Sequence, residues 1–504
     1  MSGDPDYGPG RAARGFGGAV VAGHASSTQA GLRALEAGGS AVDACLAMAA
    51  CDWVTMPDMC GPGGDLFALW RTPDGRVQAL NGGGPAPIAY AHPAHDNERI
   101  AYCLVPGAPA AFTYLASKVG RLGVGAALAP ARRLAEQGTV VGARLDRQLQ
   151  ALPEGPLRRA LANGGRLPRT NDRLLIPGLA ASLANWAKSG RADDELAKAV
   201  CDWAKAGASV AEGEALKFAV APEDSLAVKF GSWTVHGQPP LSQSVGTLAA
   251  LGMAGVDTVR EKDAAYRAHM LIEAYKNAYG ALPGLSDGKE PRAYAAGLLE
   301  PARLRAGREA IGHRASEGPA MTRNYGETTQ CAAVDADGTV CTLIHSLYRP
   351  FGGRTIAANG WLANDRGAAF GAGDNAPSPG RRPRHTLVGI LMSHPEEGVF
   401  AFGTPGAQAQ TQTNLQIAVE LMRDSTAPER ALAAPRWSFI GGTQVTVEAR
   451  MPAEALDALT ARGHKLTLRP PSDWLMGSVG LVGAVGALRL AVADHRREAL
   501  ALAL

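Results

Sequence analysis

The distribution of apolar positions divides the chain into blocks of helical and strand-like periodicity. Near the start, Ala19-Val20-Val21-Ala22 is a short apolar run. His24-Ala25-Ser26-Ser27-Thr28 can then cap a helix over QAGLRALEAGG, which Gly38-Gly39 ends. Ser40 and Asp43 have capping-box spacing, and the helix they open, SAVDACLAMAACDWV, is apolar nearly all round. Such a helix belongs between layers. The segment CGPGGDLFALWRTPDGRVQALNGGG predicts a Gly-rich loop and a hairpin turning at Pro73-Asp74-Gly75. Residues 108–235 read as mostly helical, with breaks at Gly123, Gly138, Pro153-Glu154-Gly155 and Gly164-Gly165. Gln238-Pro239-Pro240-Leu241-Ser242 is a rigid loop into the helix SVGTLAALGMAG, and AAYRAHMLIEAYKNAYGAL is an amphipathic helix. Residues 283–327 are polar, with several Gly and Pro, and read as a surface linker.

The pattern then changes. TTQCAAVD and TVCTLIHS flank Asp337-Gly338, a strong hairpin signal. LVGILMS, GVFAFGT, QVTVEA and GLVGAVGALRLAVAD are further strand-like runs, and AQTQTNLQIAVELMRD is a helix among them. Residues 1–15, rich in Gly, Arg and Asp, predict a mobile arm.

Composition narrows the function. Of 504 residues, 46% are hydrophobic and 19% charged, which excludes wholesale disorder. Lys plus Arg number 50 against 47 Asp plus Glu, a balance unlike that of a dedicated nucleic-acid binder. No apolar run is long enough to predict a membrane span. Met1-Ser2-Gly3-Asp4-Pro5-Asp6 has neither the basic start nor the apolar centre of a signal peptide. The seven cysteines are odd in number and lack CxxC spacing, so they read as reduced core thiols of a cytoplasmic protein rather than a zinc site. The Gly-rich segments at 61–64 and 82–84 carry no GK[ST] and no GxGxxG between strand and helix, so no nucleotide site is expected.

The candidate chemistry lies at Gly326-Glu327-Thr328-Thr329, where the polar linker enters the hairpin. A Thr opening a core strand satisfies β-propensity and needs no other reason. The chemical reading is an N-terminal nucleophile. If the Glu327–Thr328 bond is cut, Thr328 gains a free α-amine, whose ordinary pKa near ~8 suits it to act as general base for its own hydroxyl.

Thr328-Thr329-Gln330-Cys331-Ala332-Ala333-Val334-Asp335-Ala336-Asp337-Gly338 resembles the nucleophile segment of the γ-glutamyltranspeptidase family. HASSTQAGLRALEAGGSAVDACLAMA, MCGPGGDLFALW, LVPGAPAAF, PPLSQSVGTLAAL, AYRAHMLIEAYKNAY, GTPGAQ and APRWS also match in order, over nearly the whole chain. The resemblance implies an α+β fold, the four-layer αββα sandwich of N-terminal-nucleophile hydrolases, self-cleaved into a large subunit (1–327) and a small one (328–504). These would form a heterodimer, with possible further dimerisation, acting on a small-molecule amide without metal or cofactor. It makes Thr328 the nucleophile, followed by Thr329. Ser346 stands where the family has a Thr bonded to that nucleophile, and Gly406-Ala407 matches the pair whose amides form the oxyanion hole. An oxyanion site is physically apt there, since TPGA precedes a helix start.

The departures concern substrate. Gly83 falls at the family's carboxylate-binding Arg, and Asn364-Asp365-Arg366-Gly367-Ala368-Ala369-Phe370 has alanines at its paired acids. Tyr348 replaces an Asn, and Arg384-His385-Thr386 falls near a serine pair. Loss of several polar partners together costs orders of magnitude in selectivity. Arg349, Arg354, Arg366, Arg384 and His385 add positive charge that is either surface solvation or, read chemically, a means of recognising an anionic acyl group from the opposite side. His385-Thr386-Leu387 resembles the segment found in the family's acylase-like and oxamate-amidohydrolase-like members. A rearranged γ-glutamyl clamp, a role in a natural-product pathway and a catalytically silent homologue acting as a binding protein are the alternatives. His345 is expected to be a packed core histidine.

Overall fold

The computed structural model describes residues 11–95, 98–261, 263–321, 326–423 and 427–504. Two seven-stranded antiparallel sheets form its centre. One runs Leu500–Ala503, Gly18–Ala22, Glu327–Asp335, Val340–Tyr348, Asp65–Arg71, Val77–Gly82, Glu223–Asp224. The other runs Arg11–Gly15, Leu488–Ala493, Gly480–Val485, Gly398–Gly403, Gly389–His394, Trp233–Gly237, Leu226–Phe230. Small apolar residues join them: Val21, Ala332 and Val334 of the first meet Leu391, Ala401 and Val482 of the second.

Each outer face is covered by helices. Ala41–Thr55, the helix with the capping box, is buried at every residue against the first sheet, with Ala25–Glu36 beside it on that sheet and Gly123–Gln137 beyond it. Ser244–Arg260, Ala264–Ala281 and Ala409–Leu421 cover the second sheet. The result is the αββα order expected from the sequence. Each fully buried Leu, Val or Phe of these layers contributes roughly 1.5–3 kcal/mol of apolar transfer.

Four expectations need correction. Arg11–Gly15 is an edge strand rather than an arm, because its backbone pairs with Leu488–Ala493; residues 1–10 lie outside the described residues. The helical reading of residues 108–235 overlooked the hairpin Leu226–Phe230 and Trp233–Gly237, whose burial alternates with period two and extends the second sheet. The linker at 283–327 contains the helices Pro291–Leu298 and Pro301–Glu309 and the strand Gly318–Ala320, each Pro occupying a first-turn position where its missing N–H is harmless. Six cysteines are buried, while Cys201 is exposed on its helix rather than in the core.

Candidate active site

Thr328 stands at the start of the central strand Glu327–Asp335. The register pairs Glu327 with Tyr348 and Thr329 with His345, with an irregularity between them. Strand side chains alternate in direction. Thr329 and His345 face the helix layer, where Asp52 lies 3.5 Å and 3.4 Å away. Thr328 and Ser346 therefore face the second sheet. Ser346 is also in register with Asp65 of the next strand. Ser346 and Asp65 are thus register partners on one face, and Thr328 sits beside them at the irregularity between the Glu327–Tyr348 and Thr329–His345 pairs, a row of three across adjacent strands by alternation.

Ser346 Oγ donates a 2.6 Å hydrogen bond to the carbonyl oxygen of Glu327 and accepts one of 2.7 Å from the Tyr348 amide. Tyr348 itself has φ +86°, a conformation costly for a bulky residue and found where surroundings impose it. The Glu327 carboxyl is buried, and burial raises its pKa; Arg497 Nη1, 3.9 Å away, offsets this in part. Beside Thr328 is a small cavity of about 50 Å³ lined in part by Thr329, His24, Arg144, Arg497 and Pro405. Arg144 and Arg497 come from distant segments, belong to no motif and had no signal in the sequence; His24 was legible only as the helix cap that opens the HASSTQ segment, not as a site residue.

On the other side of Ser346, Asp65 Oδ2 accepts from Arg366 Nε at 2.6 Å and lies 3.2 Å from His385 Nε2. Burial would raise the Asp65 carboxyl, but Arg366 and His385 outweigh it and hold it below its ordinary range. His385 is lowered to about 4, by burial first and the Arg366 charge second, so its ring is neutral at pH 7. The Arg366 guanidinium lies 4.5 Å over the Tyr348 ring, and among the described residues its Nη1 and Nη2 have no hydrogen-bond partner although the side chain is 1% exposed. Asn364 fixes this turn by accepting the Arg366 amide and donating to Gly63 and Leu104. A Cβ on Gly83 would sit 3.1–3.2 Å from Phe67 and the His385 ring. The position of the family's arginine is thus closed by His385.

The structure does not bring every candidate together. Arg384 Nη1 donates to Leu282 O at 2.6 Å, away from this row, and Arg349 bonds Asp365. Arg354 borders a separate surface cavity with Arg99 and Glu154. Thr386 is buried behind His385. Gly406 (φ +135°) and Ala407 (φ +49°) turn the chain into the helix Ala409–Leu421, with Ala409 N donating to Gly406 O at 2.9 Å. The backbone at Gly326 runs along this turn: a Cβ there would be 3.3 Å from Ala407 Cβ. Thr404 Oγ1 accepts from the Ser478 amide at 2.9 Å and ties the turn to the loop before Gly480–Val485.

Away from the row, His269, Glu273 and His464 converge in the second helix layer with metal-ligand chemistry. Lys276 Nζ already bonds Glu273 Oε1 at 2.7 Å, and His269 lies 2.9 Å from His464. This cluster reads as a buried polar staple with its own cation.

Two inner antiparallel sheets between helix layers, with a Thr at the head of a central strand and a hydroxyl donor on the carbonyl before it, describe an N-terminal-nucleophile hydrolase or acyltransferase. The Gamma-glutamyltranspeptidase family model matches residues 27–504, and the chain belongs to that family. It is 28% identical over 502 residues to the glutathione hydrolase-like YwrD proenzyme of Bacillus subtilis, covering 92% of this chain and 94% of the relative. It is 26% identical over 501 residues to the oxamate amidohydrolase proenzyme of Klebsiella pneumoniae, again covering 92% and 94%. The crystal structure of cephalosporin acylase from Bacillus halodurans superposes with a TM-score of 0.91 at 26% identity, covering 100% of this chain and 99% of that one.

Proposed function

We propose that the chain cuts itself between Glu327 and Thr328 and then, as residues 1–327 with 328–504, hydrolyses an amide whose acyl part is small and anionic. The observation that carries this reading is the 2.6 Å bond from Ser346 Oγ to the Glu327 carbonyl oxygen, one residue before the Thr328 hydroxyl. As Thr328 Oγ attacks that carbonyl carbon, negative charge grows on the oxygen that Ser346 already touches. Collapse breaks the C–N bond and leaves an ester on Thr328. That collapse frees the Thr328 α-amine; water then hydrolyses the ester, releasing the Thr328 hydroxyl and the carboxylate of Glu327.

In the mature enzyme the α-amine takes the Thr328 hydroxyl proton as oxygen attacks the substrate carbonyl, then passes it to the departing amine. Gly406 and Ala407 amides stabilise the oxyanion, and water activated by the same α-amine releases the acid. The two unpartnered nitrogens of Arg366 support an anionic acyl group, because a buried guanidinium fork matches a carboxylate. Tyr348, His385 and Thr386 would shape its pocket, Thr329 the nucleophile's other flank. The unpaired cysteines support a reducing, cytoplasmic location.

A γ-glutamyl substrate is the second reading, favoured by Asp65, which offers an ammonium a carboxylate beside Arg366. Denaturing mass spectrometry should give two chains meeting at 327/328 in the wild type and one in Thr328→Ala, which is inactive. An intact but active wild type would sink the proposal. Release of p-nitroaniline from succinyl rather than γ-glutamyl p-nitroanilide separates the two readings.

A further inference from the structure

Beyond the Gly406 turn lies an open groove of about 360 Å³ whose apolar lining includes Met321, Phe439, Ile440, Leu475 and Met476, with Gly406 at its near end. The same turn borders the Thr328 cavity through Pro405, so one loop wall is shared by both spaces. The two sides of the nucleophile differ. Towards the strand Asp65–Arg71 lie Arg366, Asp65 and His385; His385 lies against Phe67, ring centroids 4.3 Å apart. In the opposite direction the nucleophile strand crosses Gly403 and Gly480, since a Cβ at either would come within 3 Å of Gln330. Gly403 leads directly into the turn and the groove. The only charged residue in the groove's described lining, Arg469, is bonded to Asp473 at 2.7 Å. The Arg366 wall is therefore charged and closed, whereas the groove beyond the turn is open and, in its described lining, mixes apolar side chains with uncharged polar ones such as Gln412, Ser438 and Thr446 and the paired Arg469.

We infer that this groove receives the amine half of the amide, and that the amine carries an uncharged aromatic group. An acyl carbonyl held between Thr328 and Gly406 with its anionic end towards Arg366 directs its nitrogen substituent to the opposite side. There the Phe439 ring, between two methionines, offers aromatic and thioether contacts to a ring. In the uncut chain, the backbone at Gly326 runs against Ala407 at the near end of this path. Departure of residues 326–327 after cleavage would therefore join the groove to the Thr328 hydroxyl. The inference rests on the proposed nucleophile and orients its substrate.

The test uses N-methyl, N-benzyl and N-(2-naphthylmethyl) amides of succinic acid, each enzymatic rate divided by the alkaline hydrolysis rate of the same amide to remove the difference in leaving-amine basicity. The kcat/KM of the wild type should rise at least ten-fold from methyl to naphthylmethyl. Ile440→Asp, a half-buried position at the groove, should abolish that rise and leave the methylamide rate within two-fold. Equal rates along the wild-type series, or a variant that slows all three alike, would overturn the assignment. Binding of the matching sulfonamides, which acyl transfer leaves intact, is the second readout. A ten-fold preference for the naphthylmethyl compound that Ile440→Asp removes upholds the groove even if no amide is cleaved, whereas no preference overturns it. Loss of all turnover with the binding preference intact would instead count against Thr328.

Discussion

Two arginines of this protein are equally hidden from water and differently employed. Arg496 uses all its donors: Nε and Nη2 hold Glu448, Nη1 holds Asp494 and Leu432 O, and Nη2 also reaches Ala434 O. Arg436 joins the same network through Asp494, whose carboxyl it and Arg496 keep far below the ordinary range despite burial. Arg366 has one such bond, to Asp65, and leaves both terminal nitrogens without a hydrogen-bond partner among the described residues. Leaving buried donors unpaired is costly. A fold that tolerates it beside its reactive row, while saturating the equivalent group elsewhere, has separated a strut from a receptor.

The contrast can be broken at either end. The largest effect belongs to Arg496→Met, which leaves Glu448 and Asp494 undercompensated and should cost about 3–5 kcal/mol in a urea melt. A loss no greater than that of Arg366→Met would erase the distinction. Next, Ser346→Ala should slow chain cleavage by about 10²–10³-fold on denaturing gels, with Ser346→Thr restoring it; unchanged cleavage would remove Ser346 from the reaction. Arg366→Met should then lower kcat/KM for a succinyl amide about 100-fold while sparing a butyryl amide. Equal losses on both would make Arg366 a second strut.

The smallest effect sharpens the precursor side. The Glu327 carboxyl has its pKa raised in the folded chain, so the folded state holds its proton over a window in which the unfolded state has lost it. Stability must fall as pH rises through that window. In a Thr328→Ala background, Glu327→Gln should therefore raise the melting temperature more at pH 8 than at pH 5. Asp494 has the opposite sign: its contribution is present above the ordinary Asp pKa and is lost only as pH falls towards the depressed folded value. Asp494→Asn should accordingly be most harmful near neutrality.

The local parts of this architecture were legible before any coordinates. The capping box at Ser40 and Asp43, the Asp337-Gly338 hairpin and the all-apolar helix at 41–55 depend on neighbours within a few residues, and each occurs as read. The hairpin at 226–237 was readable from its period of two but lay hidden in a helical context. What the sequence left obscure were meetings between distant segments. Asp65 belongs to an apolar strand and joins Arg366 and His385 only because strands 65–71 and 340–348 lie side by side. Arg384 and His385 are adjacent in sequence yet point to different partners, Leu282 and Asp65. A run of basic residues does not reveal which of them turns inward.

The strand order carries a consequence for how such a protein is made. In the first sheet, Gly18–Ala22 lies between Leu500–Ala503 and Glu327–Asp335; in the second, Arg11–Gly15 flanks Leu488–Ala493. Stretches from before and after residue 327 are thus woven like the warp and weft of one cloth. Two polypeptides released separately from ribosomes would have to thread through each other to rebuild it. Expressing 1–327 and 328–504 from separate genes should yield aggregates, whereas a single reading frame cut afterwards keeps the weave. For this architecture the peptide bond at 327 is a scaffold for assembly, and any cut there must come after the weave is complete.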